Sequence, residues 1–309
     1  MKGPKMVIAG GSGYMGGLFT RYFEERGWEC VVLTRHPSHP VRDVYWDGET
    51  RGKWENALEG MGVLINLCGK SVNCRYHKKN RKKLLESRVL PTRLLGKAVS
   101  EMKQPPGLWI QASTATLYRH TFGEPWQEDG EIGSHPDAKD AFSIDLATTW
   151  EKSFLETIPP GVRPLLMRSA MVLGRDKNPN NVLGVLRKLT RLGLGGRMGH
   201  GRQFVSWIHE QDLCRAVEWS IDHPALSGPV NFAAPQPLPN REMMAMLRET
   251  LGRPFGLSAP EWLLEMGAYF LRTETELIIK SRRVIPGALS TSGFRFEFPS
   301  FQQALADLL

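Results

Sequence analysis

Met6-Val7-Ile8-Ala9-Gly10-Gly11-Ser12-Gly13-Tyr14-Met15-Gly16 is an apolar run that enters a glycine-rich turn and leaves as an amphipathic segment. Residues 6 to 9 read as a buried parallel strand, and Leu18, Tyr22 and Phe23 give the following helix an apolar face that ends at Gly27. In this pattern Gly10 makes the tight turn, Gly13 lets the backbone approach a pyrophosphate, and Gly16 lets helix pack closely on strand. Ser12, Tyr14 and Met15 complete the turn, whose exposed amides and helix dipole favour an anion.

Cys30-Val31-Val32-Leu33 supplies a second strand at the distance such a unit requires, and Thr34-Arg35-His36 follows it. An NAD-preferring site places a carboxylate there for the ribose 2′-hydroxyl, whereas a guanidinium pairs with a 2′-phosphate. Thr34 and Arg35 therefore predict NADP(H).

Further strands are expected at Val44-Tyr45-Trp46, Gly62 to Gly69, Leu108 to Ala112, Val162 to Arg168, Val205 to His209 and residues 229 to 233. Alternation with helices predicts an α/β fold, a Rossmann-type doubly wound parallel sheet with a smaller mixed α/β C-terminal lobe. The nucleotide domain is placed at 1–168, with a return segment at about 203–235, and the substrate-side lobe at 169–202 and 236–309. A helix running to about Met102 is expected to kink or restart at Pro91, and another helix is expected to open at Asp212. Asp47 either accepts from an adenine amino group or begins the turn Asp47-Gly48. The basic glycine loop Gly193 to Arg202 is either a connector or a seat for an anionic group.

The formal charge is +8, which an anionic cofactor satisfies without nucleic acid. The run Lys78-Lys79-Asn80-Arg81-Lys82-Lys83 lacks interleaved aromatics and reads as a solvated helix face. Cys30, Cys68, Cys74 and Cys214 form no CxxC pair, and the histidines form no HExxH, so reduced thiols, no metal and a cytoplasmic location are expected. No apolar stretch is long enough to cross a bilayer, and the first apolar run reads as strand and loop rather than a signal peptide. The partner expected is a small molecule, with no nucleic acid and no membrane, bound to a monomer or homodimer.

These residues resemble the extended short-chain dehydrogenase/reductase superfamily, in its atypical branch of epimerase family proteins, whose bacterial members are sometimes labelled cell-division-inhibitor-like. Carrying the resemblance are the GxxGxxG at Gly10, Gly13 and Gly16, Trp46-Asp47, Asn66-Leu67-Cys68-Gly69, Ser87-Arg88 and Trp150-Glu151. Arg168 with Val172-Leu173-Gly174, Gly193-Leu194-Gly195-Gly196, and Ser206-Trp207-Ile208-His209 with Asp212-Leu213 continue it. The stretch from Gly252-Arg253-Pro254 through Val284-Ile285-Pro286 to Gly293-Phe294 resembles the branch's C-terminal domain.

The resemblance implies NADP(H) binding, with Leu67, Cys68 and Gly69 on the adenosine side and Arg88 on another polar part of the cofactor. It also implies an assisting hydroxyl at Thr114. The superfamily's catalytic Tyr-x-x-x-Lys pair is missing: Ser143 stands where the tyrosine belongs and Ala147 where the lysine belongs. Tyr118, His209 and Lys152 are the remaining candidates for proton transfer; Tyr118 and His209, with Thr114 as the assisting hydroxyl, form the expected catalytic set. Two functions follow: an NADP(H)-dependent oxidoreductase or epimerase with a nonstandard proton donor, or an NADP(H)-binding regulatory protein, linked by the family label to cell division.

Overall fold

A computed structural model describes residues 3–175, 181–271 and 274–309. Seven strands, all parallel, form the central sheet: β1 Lys5–Ala9, β2 Glu29–Thr34, β3 Asp43–Tyr45, β4 Val63–Asn66, β5 Leu108–Thr114, β6 Arg163–Ser169 and, from later in the chain, β10 Gly228–Phe232. Their order is β10-β6-β5-β4-β1-β2-β3, so the chain winds one way from β1 to β3 and the other way from β4 onward. The reversal falls between β1 and β4, where a doubly wound sheet opens a crevice at the carboxyl ends of its strands.

Side chains alternate across β1. Met6 and Ile8 pack beneath Leu18, Phe19 and Phe23 of α1 (Tyr14–Glu24) and Leu213, Ala216 and Val217 of α5 (Glu210–Asp222). Val7 and Ala9 face Leu94 and Leu95 of α2 (Lys78–Ser100) and Phe154 of α3 (Ala141–Leu155). Two apolar layers thus hold the sheet buried on both faces, which is why its strands read as continuous apolar runs.

A smaller lobe gathers α4 (Val182–Arg191), α6 (Asn240–Thr250), α7 (Glu261–Leu271), α8 (Glu276–Ile279) and α10 (Phe301–Leu308) around its own apolar core, whereas α9 (Gly287–Thr291) packs on the central sheet beside β10. Two small sheets join the lobe, β7 (Met171–Leu173) with β9 (Trp207–His209) and β8 (Phe204–Val205) with β11 (Leu238–Pro239).

Three local expectations change. The strand expected over Val205 to His209 is two strands in different sheets, broken at Ser206, whose hydroxyl bonds Arg282 O, Val284 O and Val284 N. The next helix opens at Glu210 rather than Asp212, because His209 Nδ1 caps it by accepting from Gln211 N at 3.1 Å. Asp212 instead buries its carboxylate against the amides of Glu297 and Phe298. Finally, α2 runs unbroken through Pro91: proline deletes one intrahelical donor, but burial of the helix face restrains the helix around it.

Candidate functional site

At the reversal point Gly10 has φ +70°, and a Cβ there would stand 2.9 Å from Cys68 N, so the turn after β1 presses on the loop after β4. Gly13 is the N-cap of α1, and a Cβ on it would meet nothing within 4 Å. No side chain caps this helix and no acid occupies its first turn, so its amides and positive dipole end are open to an anion. Gly16 is required for contact with the turn itself rather than with the strand: a Cβ would lie 2.2 Å from Gly11 O. Tyr14 turns its hydroxyl to Glu210 Oε2 at 2.5 Å, and Met15 packs against the core, so neither side chain lines the crevice.

The crevice is a cleft of about 710 Å³ lined by Gly10, Ser12, Gly13, Thr34, Arg35 and Asp47 and, on the opposite wall, Leu67, Cys68 and Gly69. Thr34 is buried and its hydroxyl accepts from His36 N at 3.2 Å. Arg35 is exposed, and among the described residues no carboxylate pairs with it. Burial raises the Cys68 thiol to about 12, with the Arg35 charge pulling the other way. Asp47 faces the cleft and also opens the turn, accepting from the amides of Glu49 and Thr50 and from the Thr50 hydroxyl at 2.6 Å. Those hydrogen bonds hold its carboxyl below the usual range against the effect of burial.

Arg88 is buried behind the β4 loop, close enough to Gly69 that a Cβ there would be 3.2 Å from its Cζ. Its Nη1 donates to Leu84 O at 3.0 Å and its Cζ lies 5.0 Å from the Trp150 ring centre. Burial lowers it to about 10. Trp46, Glu49, Lys70, Ser71, Lys83 and Glu86 also line the cleft, although sequence reading did not select them. The signal was available for α2: Lys83, Ser87 and Pro91 recur every fourth residue on one face, and that face looks into the cleft. One end of the basic run is therefore a wall of the site rather than a purely solvated surface.

Thr114 ends β5, its hydroxyl 3.1 Å from that of Thr116 and accepting from Thr116 N. Two cations from the C-terminal region reach this turn. Arg282 Nε donates to the Thr116 hydroxyl at 3.1 Å, and Lys280 Nζ donates to Thr116 O at 2.5 Å. Lys280 also pairs with Asp140 Oδ2 at 2.5 Å, both side chains fully buried. Burial draws the Lys280 ammonium down to about 8 despite that partner.

One turn along α3, Ser143 donates to Glu276, whose carboxyl burial pushes up. Ala147 is sealed against Ala115, Leu117, Tyr118 and Val284. The places of the missing Tyr and Lys are thus packed by residues 276–284.

The other expected catalytic groups have structural partners. The Tyr118 hydroxyl is buried, donates to Asn231 Oδ1 and accepts from Arg168 Nη1, both at 2.8 Å. Arg168 is in turn held by both Glu151 carboxylate oxygens at 2.9 Å, and Ser113 donates to the same glutamate. His209 is buried, caps α5 through Nδ1, lies 3.2 Å from Asp307 through Nε2, and stacks on Phe298. Lys152 is exposed and lies 3.8 Å from Glu156. The glycine loop 193–202 does not line the cleft; Gly196 and Gly199 bond the carbonyls of Leu257 and Ala259, which makes it a knitted connector. Among the described residues no group of three or more His, Cys, Asp or Glu is placed to hold a metal.

Comparison with known proteins places this geometry. Residues 6–232 match the model of the NAD dependent epimerase/dehydratase family, and residues 259–308 match a domain of unknown function, DUF1731. The chain is 30% identical to epimerase family protein SDR39U1 of Mus musculus over 310 residues, covering 99% of each. It is 28% identical to epimerase family protein YfhF of Bacillus subtilis, covering 98% of this chain and 97% of that one. The crystal structure of human epimerase family protein SDR39U1 (isoform2) with NADPH superposes with a TM-score of 0.86 at 27% identity, covering 98% of both chains.

Proposed function

The chain belongs to the NAD dependent epimerase/dehydratase family, and from that premise we propose that it binds NADP(H) in the cleft and uses it to oxidise, reduce or epimerise a small substrate. The observation that carries the reading is Arg35 at the end of β2, lining the cleft and paired with no carboxylate among the described residues, opposite an uncapped helix end. That the human relative was solved with NADPH supports the choice of coenzyme.

The residues present fit the group. The amides of the glycine turn would hold the pyrophosphate, and Thr34 and Arg35 the 2′-phosphate. Asp47, Leu67 and Cys68 would hold the adenosine, with Gly69 and Arg88 further along. Thr114, at the carboxyl end of β5, would lie on the nicotinamide side. When bound, the coenzyme supplies or accepts a hydride.

The chain's own part is to orient and to donate. Arg282 polarises the Thr116 and Thr114 hydroxyl pair, offering a hydrogen bond to a substrate oxygen without a tyrosine. Tyr118 and His209 are left out of this reading because their polar atoms are already engaged. Residues 1–168 with 203–235 are taken as the binding domain and the remainder as the substrate side. The four free cysteines accord with a reducing, cytoplasmic setting.

Titration calorimetry with NADPH and NADH on wild type and Arg35→Asp tests the reading. Affinity for NADPH should fall by about 1.5–3 kcal/mol, roughly ten- to hundredfold, while NADH changes little. An equal effect on both coenzymes, or no binding of either to wild type, overturns it.

A second reading, an NADP(H)-binding protein without turnover, is favoured by one observation: Glu276, Lys280 and Val284 close the place of the acid–base pair. Loss of nicotinamide absorbance when carbonyl or nucleotide-sugar compounds are added to the NADPH complex decides against it. A flat trace across the panel, together with no interconversion of sugar epimers by the NADP+ complex, decides for it.

A further inference from the structure

A continuous part of the lobe surface is apolar where a globular protein is normally polar. Leu192 and Leu194 leave the end of α4, Phe255 and Leu257 lie beside them, and Trp262 and Met266 follow on α7; exposure runs from 46% at Leu194 to 70% at Phe255. The backbone ties the loop after α4 to the segment that leads into α7. Leu257 N donates to Gly193 O at 2.8 Å, Gly196 N to Leu257 O at 3.1 Å, and Gly199 N to Ala259 O at 2.8 Å.

On α7 the polarity is inverted. Leu264 packs against the lobe core and Ala268, four residues on, is buried, while Glu261 and Glu265 lie on the adjoining side, where Glu265 is held by Lys139 at 2.9 Å. At about 100° per residue, Trp262, Leu263 and Met266 fall on the side away from that core, and all three are exposed. Contiguous exposed apolar surface of this kind marks an interaction site.

The rim says what covers it. Arg187, Lys188 and Arg191 on α4, Arg197 in the loop and Arg253 ahead of Phe255 lie along the same chain segments, and among the described residues none has a carboxylate partner. An isologous contact with a second copy would bring two such basic segments to the same interface, which costs affinity. A surface of anionic lipid headgroups instead meets the cations with phosphate and carboxylate while indole and phenyl rings enter the interface. We propose that this face docks the protein peripherally on an anionic bilayer. The contact is distinct from spanning, for which no helix among the described residues is long and apolar enough.

Co-sedimentation of the full chain with phosphatidylcholine vesicles, with and without phosphatidylserine, tests the proposal. Retention is expected only with phosphatidylserine, falling about tenfold or more both in Phe255→Ser with Trp262→Ser and in Arg191→Glu with Arg253→Glu. Because these side chains are exposed, the melting temperature of each pair should match wild type. The proposal is overturned by no retention on anionic vesicles at physiological ionic strength, by equal retention on both vesicle types, or by retention that neither pair weakens. It is equally overturned if sedimentation velocity finds a wild-type dimer that the Phe255 and Trp262 substitutions dissociate.

Discussion

Arg35 and His209 show how differently two cationic residues can be used in one chain. Arg35 is exposed in the cleft and, among the described residues, pairs with no carboxylate, so its substitution should register in ligand choice and hardly in folding. His209 has the opposite balance. Burial holds its imidazole below the ordinary 6.5, outweighing the pull of Asp307, and its Nδ1 must stay unprotonated to cap α5. The unfolded chain therefore takes up this proton first as pH falls, so stability is present above about 6.5 and is lost below it. Thermal unfolding followed from pH 7 to pH 5 should show a smaller decline in His209→Asn, which retains a capping side chain without a titrating one. Parallel declines in the two proteins would exclude His209 as the source.

Adjacent glycines of α1 separate two demands that the sequence pattern merges. A methyl at Gly16 runs into the Gly11 carbonyl, whereas one at Gly17 meets nothing within 4 Å. Gly16→Ala should cost about 1–3 kcal/mol and weaken NADPH binding by displacing the turn, while Gly17→Ala should gain about 0.5–1 kcal/mol. Chemical denaturation of both variants measures the difference, and equal effects would contradict the packing described.

At this scale most of the sheet was readable, because a strand buried on both faces leaves an unbroken apolar run such as Met6 to Ala9. The split at Ser206 was not readable, since residues 282–284, which break the strand, lie far along the chain. For the same reason the glycine turn, Thr34, Arg35 and the β4 loop could be assigned to the cleft from local pattern. That Asn231 and Arg168 hold the Tyr118 hydroxyl could not be read from local pattern, because both partners lie far along the chain.

Across the whole molecule, the C-terminal region is bound into the site by charge. Lys280 and Arg282 reach the β5 turn, Glu276 reaches Ser143, and Glu274 accepts from Tyr76 N at 2.6 Å in the loop ahead of α2. Removing one member of a buried pair leaves the other uncompensated, so Lys280→Met should destabilise the protein by about 3–5 kcal/mol. Adding Asp140→Asn should restore a substantial part, as measured by urea unfolding of the two variants. If the double variant is no more stable than the single, the ammonium acts through something other than Asp140.

The pairing of Asp140 with Lys280 also sets a schedule. A ribosome delivers the carboxylate 140 residues before its counterion, so this buried pair can close only after Lys280 has emerged. Closure of this part of the protein therefore waits for the segment around residue 280, and a chain truncated ahead of it should yield a product that quality-control proteases remove.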